Sequence, residues 1–368
     1  MSFAGPPAGR RNKRSNRMTG RGYQQDGSGD LSPKQENRMK TKLIAAALMA
    51  TALIPATAMA QEPVRLAFLA ASSQNGYNNA TWQGVQDAAA AAGGVEVEIF
   101  DGEFNAATQY SQVEDIIAGG RFDGIVVAPN DTVGIATALE EATKEKLLVA
   151  SVLFPVGPEL TTMTPQVPGL TTTVALNPVE GAAAQAEEVV KFCEGKDPCN
   201  VVIMIGQLQF PFDNLRYNSM LDVLKTHANI KVVATGEGNY SPDASLTAMQ
   251  DIIQANPQID VVLSNADQHL LGVEIALEDA GIPIEPIYLI GGGLNQITVD
   301  KIKEGKFDAT LSGYPYSEGY FAAEALIKAA RGETVENYID PSSKASNPLI
   351  VTKEWLDANP DFKAEWEG

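Results

Sequence analysis

The sequence predicts an α/β protein of two similar lobes, each a parallel sheet with helices on both faces. Three observations carry that prediction. Short β-branched runs alternate with segments of helical spacing along most of the chain, an order that calls for parallel strands linked by covering helices. One unit recurs: Asp115-Ile116-Ile117 precedes Ile125-Val126-Val127 and Asp131, and Asp251-Ile252-Ile253 precedes Val261-Val262-Leu263 and Asp267, each last aspartate sixteen positions after the first. About 308 residues follow the leader described below, more than a single core usually holds.

In the first half, strands are expected at 64–70, 95–100, 124–128, 147–152 and 171–175. Helical spacing, as in Tyr110, Val113, Ile116 and Ile117, marks 81–92, 106–118 and 132–146 between them. The second half repeats the theme with strands at 201–205, 231–234, 261–264, 287–290 and 309–312. Its helices are expected at 214–225, 243–255, 269–280 and 296–304. Ligand chemistry at the carboxyl ends of such strands would put the two lobes face to face across a cleft.

Near the start, Lys40 and Lys42 lead into an uncharged run over 43–54, followed by Pro55 and the small-residue pattern Ala58-Met59-Ala60. This is the pattern of a cleavable secretory signal over 39–60, with cleavage expected after Ala60. The apolar run is about a dozen residues, short of the roughly 18–20 that span a bilayer, so no direct membrane insertion is expected. Neither cysteine lies near the cleavage point to carry a lipid. Upstream, Arg10, Arg11, Lys13, Arg14, Arg17 and Arg21 sit among Gly, Pro, Ser and Asn without apolar periodicity, so this segment is no folded DNA-binding headpiece. Arg10-Arg11 lacks the apolar stretch that a twin-arginine signal needs directly after it, and a start codon placed too early is the simpler account.

Residues 1–60 hold ten of the 27 Lys/Arg and three of the 46 Asp/Glu, so the remainder has a formal charge of 17 minus 43, or −26. Such a surface repels phosphate backbones, which argues against nucleic acid and anionic membrane as partners. Catalysis finds little footing. The two histidines, His227 and His269, have no nucleophile at a recognisable spacing, and no metal-ligand motif of the His-Glu-x-x-His or Cys-x-x-Cys kind occurs. Gly291-Gly292-Gly293 lacks the spacing of a dinucleotide or Walker loop and reads as a crowded strand end. Cys193 and Cys199 bracket a short turn between a helix and a strand, and in an oxidising compartment they are expected to pair. No cofactor is expected.

From Val64 to about Lys353 the order of elements, Ser72-Ser73 followed by Gln74-Asn75-Gly76-Tyr77, the Asp115-Ile116-Ile117 unit, Ala128-Pro129-Asn130-Asp131 and Asn265-Ala266-Asp267 together resemble the ribose-type periplasmic sugar-binding proteins. The resemblance implies a type I binding-protein fold whose hinge has three crossovers, near Val174, Tyr314 and Ile339. The N-terminal lobe would then be 61–174 plus 315–338, and the C-terminal lobe 175–314 plus 339–368. It also implies a monomeric, non-catalytic periplasmic receptor that captures a small molecule and hands it to the permease of an ABC importer.

Residue by residue, the ligand shell departs from that family's pattern. Members that bind pentoses or hexoses tend to carry an Asp-Arg pair after the fourth strand, because a carboxylate and a planar guanidinium can each take two adjacent hydroxyls. Here those positions are Leu153 and Phe154. The family's second arginine corresponds to Asn214, with Arg216 two residues on, and its asparagine, aspartate and glutamine correspond to Ala266, Gly293 and Gly313. What survives is Asn75 and Tyr77 in the first loop, with Asn78 beside them, and Tyr240 in the loop before the helix at Asp243. Gln209, Phe210 and Phe212 add an amide and two rings.

The candidate ligand set is therefore Asn75, Tyr77, Asn78, Phe154, Gln209, Phe212, Asn214, Tyr240 and Asp267. The pocket it implies is less polar than a monosaccharide site. The expected ligand is a sugar, polyol or sugar-derived compound. An aromatic or nucleoside-like solute, or a signalling role through a chemoreceptor, stands as the alternative. Asp131 and Asp267 each precede a helix start and are expected to cap it, with Asp267 also reaching the ligand.

Overall fold

Strands and helices alternate through a computed structural model that describes residues 62–368. The signal expected at 39–60 and the extension before it lie outside the described residues. Two six-stranded sheets result. The first contains β1 (Val64–Ala70), β2 (Val95–Asp101), β3 (Gly124–Val127), β4 (Leu148–Val152), β5 (Thr172–Val174) and, late in the chain, β11 (Tyr338–Ile339), in the order β11-β5-β4-β3-β1-β2. All its pairings are parallel.

The second contains β6 (Cys199–Ile205), β7 (Ile230–Glu237), β8 (Val261–Ser264), β9 (Tyr288–Gly292), β10 (Ala309–Leu311) and β12 (Ile350–Thr352), in the order β12-β10-β9-β8-β6-β7. Here one expectation changes, because β12 runs antiparallel to β10. The reason is topological. The chain reaches β12 straight from the end of β11 in the other lobe, so it enters this sheet at the edge where its neighbours finish.

Strand composition explains the layering. Leu66, Phe68 and Ala70 of β1 join one buried cluster, while Ala67 and Leu69 join another on the opposite face. Successive side chains leave a strand on opposite faces, so a sheet covered twice needs unbroken apolar runs. In the first lobe one face is covered by α1 (Gly76–Ala92) and α9 (Pro315–Ala330), the other by α2 (Ala106–Gly119) and α3 (Ala136–Lys144). In the second lobe, α4 (Pro178–Phe192) and α5 (Pro211–Leu224) cover one face. The other is covered by α6 (Pro242–Ala255), α7 (Asp267–Asp279), α8 (Gln296–Glu304) and α10 (Lys353–Ala358).

Several helices begin earlier than periodicity suggests, and capping explains why. Asn75 accepts from the Asn78 N–H, so α1 starts at Gly76 and not near Thr81. Pro211 stands at the first position of α5, where its missing N–H costs nothing. Conversely, α3 starts only at Ala136, because Asp131 accepts from the Val133 and Gly134 N–H groups and holds a separate turn ahead of it.

Cys193 and Cys199 form a disulfide with a Cα–Cα distance of 5.7 Å. By the chain-entropy argument, closing so short a loop adds about 2 kcal/mol. The chain passes between the sheets after Val174, again between Leu311 and Pro315, and a third time between Ile339 and Ile350. After the second passage α9 crosses α1 almost backbone to backbone. A Cβ on Gly84 would lie 2.1 Å from the Tyr316 carbonyl oxygen, and one on Gly319 1.9 Å from that of Thr81. Only glycine permits that approach, which brings Tyr77 of α1 beside Glu318 of α9.

Candidate functional site

The strand ends of the two lobes face one another across a cavity whose atom-free space, counted together with the open solvent at its mouth, is about 950 Å³. Its first-lobe wall includes Asn75, Tyr77, Asn78, Phe104, Leu153 and Phe154. Its second-lobe wall includes Phe212, Arg216, Tyr240, Asn265 and Gln268, and Gly313 and Glu318 close it at the hinge side.

The second-lobe wall is a polar network built on one turn of helix. Asp213 is fully buried in the first turn of α5, where it accepts from the Gln207 N–H at 2.7 Å and from Asn265 Nδ2 at 3.0 Å. Arg216, one turn on along the same face, pairs with it and also donates to the Tyr240 hydroxyl at 2.6 Å. The Tyr240 hydroxyl in turn donates to Asp213. Burial pushes the Tyr240 phenol well above its usual range; Arg216 opposes the shift and Asp213 adds to it, so the ring keeps its proton.

Tyr240 is held in place from behind. Its backbone is left-handed, with φ of 55°, and its N–H donates to His269 Nε2 at 2.9 Å. His269 Nε2 must therefore be the acceptor, which leaves the proton on Nδ1, 3.0 Å from Ser264 Oγ. Burial, aided by the charge of Arg216, holds the imidazole down to about 3. His269 is a neutral strut behind the wall, and it does not line the cavity.

Aromatic rings meet across the cleft. Phe154 stacks on Phe212 with centroids 4.2 Å apart, and Phe104 stacks on Tyr240 at 5.8 Å. The Arg216 guanidinium lies over the Phe154 ring at 5.1 Å, a favourable placement for a planar cation. Phe104 and Leu153 are left-handed as well, with φ of 49° and 69°. Such backbone costs roughly 1–2 kcal/mol per residue, and its concentration here aims these side chains into the cavity.

Three buried polar atoms around the cavity lack a hydrogen-bond partner: Arg216 Nε, Asn265 Oδ1 and Glu318 Oε2. Together they leave a donor, an acceptor and a carboxyl oxygen unpaired in residues that line the cavity. Among the described residues no cluster of His, Cys, Asp and Glu could hold a metal ion.

Of the nine residues expected at the ligand, Asn75, Tyr77, Asn78, Phe154, Phe212 and Tyr240 line the cavity, and three stand elsewhere. Gln209 is exposed, with its amide donating to Gln207 Oε1. Asn214 lies on the outer face of α5 and accepts from Asn218, since a helix that turns Phe212, Asp213 and Arg216 inward must turn the residue between them out. Asp267 is sealed behind the wall, where it accepts from the Asn295 N–H at 3.0 Å and Thr310 Oγ1 at 2.7 Å. It does not cap its own helix, whose cap position is Ala266; it ties α7 to β10 and the start of α8. Burial raises its carboxyl to about 6 in spite of those bonds.

Sequence matching missed Phe104, Arg216, Asn265 and Glu318. Two of them correct the expectation of a weakly polar pocket. Arg216 supplies the guanidinium that Asn214 lacks, and Asn265 supplies the amide that Ala266 lacks, each from a neighbouring position. The glycines read as a crowded strand end are crowded: a Cβ on Gly291 would lie 2.3 Å from Asp267 Oδ1.

The model of the periplasmic binding protein domain matches residues 66–334. The chain belongs to that family, one of substrate-binding transport proteins. It is 26% identical over 259 residues to a putative rhizopine-binding protein of Rhizobium meliloti, covering 70% of this chain and 81% of that one. It is 28% identical over 270 residues to a xylitol-binding protein of Mycolicibacterium smegmatis, covering 71% and 72%. In fold it is similar to an ABC transporter solute-binding protein from Bacillus halodurans solved with bound myo-inositol, with a TM-score of 0.71, 22% identity, and coverage of 83% and 99%.

Proposed function

We propose that this chain captures a sugar or polyol of monosaccharide size in the cavity between its lobes and delivers it to the permease of an ABC importer. The observation that carries the reading is the pairing of ring faces on both walls with the unpartnered Arg216 Nε and Asn265 Oδ1. Rings suit the apolar faces of a polyol, and the polar atoms suit its hydroxyls. The names of the relatives support the same class of ligand.

The mechanism is hinge closure. In the open state a ligand docks on one wall, and its contacts with the other exist only after closure, so binding shifts the equilibrium toward the closed shape. Micromolar affinity corresponds to about −8 kcal/mol, within reach of stacked rings and a few hydrogen bonds in a dry cleft. The protein acts in the periplasm as a monomer after removal of 1–60, and makes or breaks no bond in its ligand.

A thermal-shift screen of residues 61–368 against D-ribose, xylitol, myo-inositol and related polyols tests this. At least one should raise the melting temperature, since a ligand that binds only the folded state stabilises it. Tyr240→Ala should abolish the shift while the unliganded protein still folds. A silent screen, or turnover of a bound probe, would sink the reading.

A further inference from the structure

The helices that follow the first two hinge crossings, α4 and α9, both open with proline at their first position and both meet the cavity at their fourth residue. On α4 that residue is Gly181, and on α9 it is Glu318. One side of the hinge therefore presents bare backbone and the other a carboxyl group. Glu318 is 1% exposed. Its Oε1 accepts from the Tyr77 hydroxyl at 3.0 Å, and Oε2 has no partner. The close α1–α9 crossing at Gly84 and Gly319 fixes this pair, so the free oxygen is always the same one.

We infer that Glu318 contacts the ligand directly through Oε2, donating as a carboxylic acid to an acceptor oxygen of an uncharged sugar or polyol, with Tyr77 as the positioning residue that leaves Oε2 free. This rests on the functional reading above and assigns one of its contacts.

The charge environment supports the acid form. Titratable and charged groups facing this part of α9 are Tyr77 and Asp87 on α1, Glu365 in the C-terminal segment, and Lys344, whose ammonium lies over Phe321. Among the described residues no cation pairs with Glu318, and across the cavity Arg216 is already engaged by Asp213. Burial pushes the Glu318 carboxyl well up; the Tyr77 hydrogen bond opposes this and the negative charge of Glu365 adds to it. The positive end of α9 favours the anion, but that is the weaker influence for a group with no water around it.

Isothermal titration of wild type, Glu318→Ala and Glu318→Gln with D-ribose, xylitol, myo-inositol and D-glucosamine, from about pH 6 to about pH 9, tests the assignment. For whichever uncharged probe binds, wild-type affinity should not rise toward the alkaline end, because loss of the donor proton can only weaken the contact. Glu318→Ala should weaken binding roughly tenfold at neutral pH. Glu318→Gln carries a donor at every pH, so it should weaken binding less than the alanine throughout.

Equal affinity of wild type and Glu318→Ala would overturn the inference. So would a wild-type affinity that rises toward the alkaline end while that of Glu318→Gln stays level, which decides the matter even if the alanine variant does not fold. Preference for D-glucosamine, lost equally in both variants, would mean an ionised Glu318 and would also overturn it. If no probe binds wild type, the functional reading itself fails and takes this contact with it; binding without any Glu318 effect leaves that reading standing.

Discussion

Phe104 and Tyr240 each stand three residues beyond a second strand of their lobe, β2 and β7 respectively, and both have left-handed backbone. They stack on each other across the cleft. The likeness stops at the ring edge. Tyr240 carries a hydroxyl, and around it the second lobe gathers Asp213, Arg216 and Asn265, whereas the first-lobe side offers Asn75, Asn78, hydrocarbon and the Tyr77–Glu318 pair, which carries no cation among the described residues. The same topology thus supplies one wall whose charges are neutralised in advance and one that is mostly ring and amide. Closure brings a largely apolar face down on a polar one, which strengthens the electrostatics it covers.

The largest test of that contrast is Arg216→Ala, which leaves Asp213 buried without its cation. It should lower the stability of the unliganded protein by about 3–5 kcal/mol, with the lost hydrogen-exchange protection confined to second-lobe amides. Protection lost equally in both lobes would break the comparison.

Next in size is the pair of aspartates that occupy equivalent places in the internal repeat. Asp267→Ala should cost up to about 3 kcal/mol, because it strands the Asn295 N–H and Thr310 Oγ1 in the interior. Asp131→Ala should cost about 1 kcal/mol, since it removes only the cap of a turn near solvent. Chemical denaturation of both variants checks the order.

A further test sharpens the same point through pH. His269 titrates near 3 when folded and near its ordinary 6.5 when unfolded. The unfolded chain therefore takes up the proton first as pH falls, and stability is lost between about pH 6.5 and about pH 3, by up to about 1.4 kcal/mol per pH unit. Asp267, raised to about 6, works the other way, stabilising the fold as pH drops from about 6 toward about 4. Comparing urea midpoints of wild type and His269→Gln across that interval isolates the histidine contribution. Identical slopes would mean that His269 is not the buried, neutral strut described.

The sheets were legible because a doubly covered parallel strand must be apolar on both faces, as 66–70 and 201–205 are. Helix starts were less so: Asn75-Gly76-Tyr77-Asn78 looks like a loop until the Asn75 cap is seen. At the site, positions in loops could be matched in order along the chain, which located Tyr77, Phe154 and Tyr240 at the wall. Arg216 and Asn214 show why the rest was hidden. They differ by two positions, which in a helix means opposite faces, and only the turn that starts at Pro211 decides which one enters the cavity. Glu318 was hidden by its surroundings, since a carboxylate among serine, glycine and tyrosines near a helix start reads as a solvated cap. Asp267 misled for the converse reason, its partners Asn295 and Thr310 lying far along the chain.

The disulfide has a practical corollary. The chain has two cysteines and they are bonded to each other, so an oxidised preparation presents no reactive thiol. A single cysteine introduced at exposed Gln209, one residue before Phe210 and outside the cavity lining, would be the sole attachment point for an environment-sensitive dye, and movement of one wall against the other could then be followed as a change in emission.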